Sequence, residues 1–201
     1  MKVSTVPKYL TEDEYLALED AAEEKHEFIN GEMIAMSGGT LPHAAIAANL
    51  TGELVRLLKS RPCIVLSSDA RVNVDPTGLY TYPDVSIVCG RPQYAAKSRI
   101  TLTNPLVLVE VLSDSTEAYD RGAKFAHYRH LPSLQAYILV AQNPRRIEVF
   151  QRMPEGGWLM TEAERGEIRV PCLEVALDVE EVYRNVDILL AAEGEVGEEG
   201  G

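Results

Sequence analysis

PLVLVEVLS, residues 105–113, is the most apolar stretch of the chain and contains one residue that does not belong in it. Successive side chains of a strand point to opposite faces. Leu106, Leu108, Glu110 and Leu112 therefore share one face, and Val107, Val109 and Val111 share the other. A strand apolar on both faces belongs in the centre of a sheet covered on both sides. A carboxylate in its middle is costly to bury without compensation. Glu110 must meet a cationic side chain, a metal ion or an open cleft.

Working outward, TYPDVSIVCG (81–90) is a second apolar strand, entered through Pro83 and opened by Asp84. Alone, Asp84 reads as a turn residue. Taken with Glu110, it is one of two acids that open or interrupt neighbouring strands, 26 positions apart. Two hard oxygen donors on one sheet suit Mg²⁺ or Mn²⁺, which keep several waters and need few protein ligands. Downstream, EAYDRGAKFAHYRH (117–130) reads as a helix, on which Lys124 and Tyr128 share a face. A lysine there either positions a water and steadies developing charge beside the metal or is a solvated helix lysine. Asp120, four residues before it, reads as its surface partner.

The remaining pattern is mixed α/β. Thr11 with Glu14 marks a capped helix through about Glu23. HEFINGEMIAM is a hairpin around Asn30-Gly31, and apolar spacing predicts a helix over 43–60. CIVLSS and ARVNVDPTG read as strands, RPQYAAKSR as a polar basic loop, and LQAYILV and RRIEVFQR as strands. A small β addition is expected over 156–178 and a helix near 179–191. The expected fold class is α/β: one central mixed sheet flanked by helices, with an added hairpin. One domain over 1–190 is expected, followed by a disordered acidic tail, 191–201.

Four segments in order carry a resemblance: HEFINGE (26–32), YPDVSIV (82–88), LVEVLSDST (108–116) and DRGAKFAHYRHLPSLQAYILV (120–140). Over roughly residues 8–155 the chain resembles the Uma-two family of restriction-endonuclease-like proteins, within the PD-(D/E)xK superfamily. The resemblance implies a four-stranded mixed sheet of the restriction-endonuclease type. It implies a Mg (or Mn) ion held by Asp84, Glu110 and the carbonyl of Val111, with catalytic roles for Glu27 and Lys124. The superfamily pattern places its lysine two residues after the second acid; here that position is Leu112, so Lys124 fills the role from the next helix. His43 matches a histidine common in the family and, with Tyr128 and Arg121, is a candidate substrate contact. The resemblance also implies a homodimer.

Composition bounds these readings. The 201-residue chain carries a net charge of −12. Setting aside the tail glutamates 193, 195, 198 and 199 leaves −8, which argues against a nucleic-acid partner. Against that, Arg91, Lys97, Arg99, Arg121, Lys124 and Arg129 form a candidate positive rim. Three cysteines with no CxxC or Cys/His cluster suggest buried thiols, not a disulfide framework. Their reduced state, with no secretory or membrane-length apolar run, points to the cytoplasm and to no membrane partner. The expected function is metal-dependent hydrolysis of nucleic-acid phosphodiesters, DNA above all. The alternatives are a catalytically weak or inactive nuclease-fold binding module and a metal hydrolase of small phosphoesters.

Overall fold

The computed structural model describes residues 9–36 and 38–191; the expected acidic tail lies outside them, but for Ala191. In chain order the elements are α1 (Glu12–Glu19), β1 (His26–Ile29), β2 (Glu32–Ala35), α2 (Leu41–Leu58), β3 (Cys63–Ser67), β4 (Arg71–Val74), β5 (Leu79–Thr81), β6 (Val85–Cys89), β7 (Tyr94–Ala95), β8 (Ser98–Leu102) and β9 (Val107–Val111). There follow α3 (Glu117–Tyr119), a π-helical turn (Asp120–Lys124), α4 (Phe125–Tyr128), β10 (Ala136–Ala141), β11 (Arg146–Arg152), β12 (Trp158–Ala163), β13 (Glu167–Val170), β14 (Val175–Asp178) and α5 (Val179–Val182).

Two six-stranded sheets dominate. The central one runs β12-β11-β10-β9-β6-β3, and the second runs β2-β1-β5-β4-β8-β7. Both are mixed: β9 pairs parallel with β10, and β4 parallel with β8. The expected class, α/β with helices against a mixed sheet, is what the structure has. The expected four-stranded sheet is extended to six strands. The expected added hairpin, β1–β2, is one edge of a second sheet: Phe28 pairs with Tyr80 of β5. RPQYAAKSR is not a loop, because β7 and β8 are made there. Asn30 and Gly31 turn the hairpin at φ 51° and 83°, the positive angles a tight hairpin turn demands.

The alternation in β9 decides how the layers stack. Val107, Val109 and Val111 face one apolar core with Ile46, Leu50, Leu54 and Leu58 of α2. Leu108 and Leu112 face another, between the sheets, with Val72, Val74, Leu79 and Tyr128. Glu110 lies on this second side, where only 4% of it is exposed.

The cysteines depart from expectation. Cys63 and Cys89 face each other across the antiparallel β3–β6 pair and are joined as a disulfide. Only Cys172 is a free thiol, its pKa pushed up to about 11 by burial. Neither strand alone shows the pairing; the register creates it. Cysteine usage therefore gives no support for a reducing compartment. No helix among the described residues is long and apolar enough to cross a membrane. Purified without reductant and then denatured, the protein is expected to titrate one thiol per chain with a chromogenic disulfide reagent, and three after reduction. Three thiols without reduction would contradict the cross-strand pair.

Candidate functional site

β6 and β9 run antiparallel with Val85 opposite Val109. Continuing that register by one residue sets Asp84 opposite Glu110, which is how two acids far apart in sequence meet. The Val111 N–H donates to Asp84 Oδ2 at 2.7 Å and ties the carboxylate to the end of β9. From the other side comes His43, whose backbone N–H is capped by Thr40 Oγ1 at the start of α2. Its Nε2 lies 3.3 Å from the same Asp84 oxygen. Hydrogen bonding to Asp84 raises the imidazole pKa above its usual value, against the effect of burial, with Asp84's charge and a backbone bond to Val111 adding to the rise.

Glu110 points to the opposite side of β9 from α2, and there Lys124 meets it. The Lys124 Nζ is 3.1 Å from Glu110 Oε1, 3.1 Å from Glu27 Oε1 of β1 and 3.1 Å from Asp120 Oδ1 one helical turn earlier. All four side chains are almost completely buried. Burial alone would discharge the ammonium, but Glu110, Glu27 and Asp120 outweigh it and hold its pKa well above the usual lysine range. Burial pushes the Glu110 carboxyl the other way, up to about 8, with Lys124 opposing and Asp84 and Asp120 reinforcing. Two hydroxyls orient the acids: Tyr128 donates to Glu110 Oε1 at 2.7 Å, and Thr81 donates to Glu27 Oε1. The Asp120–Lys124 segment is a π turn, wider than the flanking helix, a local form frequent at functional sites.

These groups open on a cleft of about 1030 Å³. His43, Asp84, Glu110, Val111, Asp120 and Lys124 all line it, together with small residues of α2 such as Ala44, Ala47 and Gly52. Its acids are Glu24, Asp84, Glu110 and Asp120, against two cations, Lys25 and Lys124. Lys25 is already paired with Asp69, and Lys124 with its three carboxylates. With Glu110 ionised, acids outnumber lysines in the lining.

Comparison with known proteins bears on this geometry. The profile of the Uma2 family, described as "Putative restriction endonuclease", matches residues 12–184. The chain belongs to the Uma2 family. Two uncharacterized proteins of Synechocystis sp. are similar along most of their length. One, slr1290, is 38% identical over 88% of this chain and 93% of its own; the other, sll1609, is 36% identical over 87% of this chain and 100% of its own. A crystal structure from Anabaena variabilis, titled as "a putative nuclease belonging to DUF820", superposes with a TM-score of 0.68 over 87% of this chain and 97% of that one. At 19% identity that likeness speaks for the fold: a mixed α/β, restriction-endonuclease-like architecture.

Of the residues singled out in the sequence, Asp84, Glu110, Lys124, Val111 and His43 come together at the cleft, and Glu27 reaches it only through Lys124. Tyr128, expected as a substrate contact, does not line the cleft: it is fully buried and serves Glu110 from behind. Arg121 turns away to Glu117 and Glu148. Of the expected positive rim, Lys124 alone lines the cleft. Lys97 pairs with Glu12 and Asp13, and Arg91, Arg99 and Arg129 do not line the cleft. Asp120 is the residue underestimated in the sequence. Its i, i+4 spacing to Lys124 was visible, but the same spacing describes a solvated pair, and only the packing of the π turn puts it inside.

The Tyr128 bond to Glu110 is open to a direct test. Tyr128→Phe keeps the ring and removes one hydrogen bond to a buried acid, which costs about 1–3 kcal/mol. Urea denaturation is expected to report a loss in that range; an unchanged midpoint would mean that the hydroxyl does not hold Glu110.

Proposed function

We propose that the cleft is the active site of a divalent-metal-dependent endonuclease that hydrolyses nucleic-acid phosphodiesters, with DNA the first substrate to try. The observation that carries the reading is the convergence of buried carboxyl groups. Glu110, Glu27 and Asp120 gather round Lys124, and Asp84 lies opposite Glu110 with His43 against it. A buried carboxylate cluster of this kind is relieved by protons or by a metal. The donor set fits Mg²⁺ or Mn²⁺: hard oxygens, few of them, beside an open cleft. Among the described residues no three His, Cys, Asp or Glu side chains stand ready to enclose an ion.

Asp84, Glu110 and the Val111 carbonyl would hold the ion. When bound, it supplies Lewis-acid polarisation of the phosphoryl group and a water of lowered pKa. The protein's own groups do the rest. The Val111 N–H fixes Asp84, Tyr128 fixes Glu110, and Lys124 keeps a permanent positive charge beside the reacting phosphate, where charge builds in the transition state. Glu27 anchors Lys124 from β1. His43, at the mouth of α2, faces the substrate side of Asp84. A twofold homodimer, the commonest oligomer, would present two clefts to the two strands of a duplex.

The acidic lining favours one further reading, a metal hydrolase of small phosphoesters, because a long polyanion gains affinity from many phosphate–cation contacts that this cleft does not offer. One series of assays separates the two. Wild type is expected to nick plasmid DNA with Mg²⁺ or Mn²⁺. Asp84→Asn and Glu110→Gln are expected to lose at least about a hundredfold, the upper end of what outer-shell changes at metal sites cost. Turnover of nucleotides or sugar phosphates with no cutting of DNA or RNA would select the small-substrate reading. Equal activity of the variants would remove these acids from the mechanism.

Protonation gives an independent handle. Metal ligands must lose their protons, and burial has pushed Glu110 up to about 8. Mn²⁺ affinity is therefore expected to rise as pH climbs towards that value, and to level off above it, with proton release on binding. Calorimetry in buffers of different ionisation enthalpy measures both. A pH-independent affinity would mean that Glu110 is not a ligand.

A further inference from the structure

We propose that the ammonium of Lys124 occupies the place of a second cation, so that each chain takes up one divalent ion and carries its other positive charge built in. This rests on the nuclease reading above and specifies its metal stoichiometry.

A lysine ammonium is a compact point charge with three N–H donors. Here three carboxylate oxygens, each from a different side chain, stand 3.1 Å from it. Three acids crowd the buried ammonium, so Lys124 acts as a fixed charge and not as a mobile arm. Its acids are themselves braced: Glu27 by Thr81, Glu110 by Tyr128, and the Asp120 backbone by Tyr137, whose hydroxyl donates to the Asp120 carbonyl at 3.1 Å. The three come from β1, β9 and the π turn, as ligands of a metal come from several elements.

Two details separate this from an ordinary buried ion pair. Asp120 is 2% exposed and its Oδ1, in the cleft wall, has no hydrogen bond in the structure. It meets the ammonium only as charge meets charge, the non-directional contact a metal ion makes equally well. Glu110, moreover, belongs to both halves of the site: it faces Asp84 across the β6–β9 register and Lys124 across the cleft wall. A carboxylate shared between two positive centres is the arrangement of two-metal sites, whose ions lie about 3.5–4 Å apart. Here one of the centres is nitrogen. The cage is sized for it, since 3.1 Å exceeds a Mg²⁺–oxygen distance by about 1 Å. Without the ammonium, three buried carboxylates would repel one another until protons or a divalent ion drew them together.

The test is Mn²⁺ titration of the full chain, read by calorimetry and by electron paramagnetic resonance of the bound ion. Wild type is expected to bind one ion per chain and Lys124→Ala two, with spin coupling between them. Asp120→Asn added to Lys124→Ala is expected to weaken the second site at least tenfold. Two ions in wild type, or one in a folded Lys124→Ala, would overturn this inference and leave the nuclease reading standing. No uptake by wild type would overturn both. Should Lys124→Ala not fold alone, saturating Mn²⁺ is expected to restore a cooperative thermal transition, and failure to do so would also count against the built-in charge.

Discussion

The structure turns on one buried contact, the ammonium of Lys124 against Glu110. A carboxylate in the central strand of a two-sided sheet is tolerable only if something positive is brought to it. The helical segment after β9 is folded so as to do this, and the hairpin strand β1 is drawn in by the same charge through Glu27. Burying ions in this way is a weak source of stability, because the desolvation of each partner offsets most of their attraction. What it yields instead is placement: three acids and a cation with little freedom to move, at the wall of an open cleft. The apolar cores on either side of β9 supply the stability that the polar cluster does not.

Much of this was legible before any coordinates. Period-two alternation in PLVLVEVLS marked Glu110 as out of place and assigned its neighbours to two faces, which are the two cores observed. Asn30-Gly31 announced its hairpin, and the spacing of Lys124 and Tyr128 put them on one side of a helix. These signals are local, so a linear reading reaches them. Non-local facts were out of reach. The second sheet is assembled from strands of two to five residues, too short for alternation to be distinctive, and β4 pairs with β8 only because the fold brings them together. The disulfide depends on the β3–β6 register and on nothing in either segment.

The charged residues divide in the same way. Lys124 and Asp120 present the same i, i+4 pattern as any solvated helix pair, and Arg121 between them reads as no less available to a phosphate than Lys124. Which of the three turns inward is decided by where Glu110, Glu27 and Glu148 stand, and those belong to other strands. Charge counting along the chain is similarly blind to pairing: Lys97, Arg121 and Lys124, close in sequence, form separate ion pairs in space, and Arg91, Arg99 and Arg129 do not line the cleft.

The π turn at 120–124 sets a limit on the length of this segment. Such a turn is in effect an α-helix with one residue added, and each residue of a helix advances the side chains by about 100°. Removing one residue between Asp120 and Lys124 would restore a regular helix and swing one of the pair out of the core while the other stayed. The spacing of these two positions is thus a matter of counting as well as of chemistry, and substitutions at Gly122 or Ala123 should be far better tolerated than the loss of either.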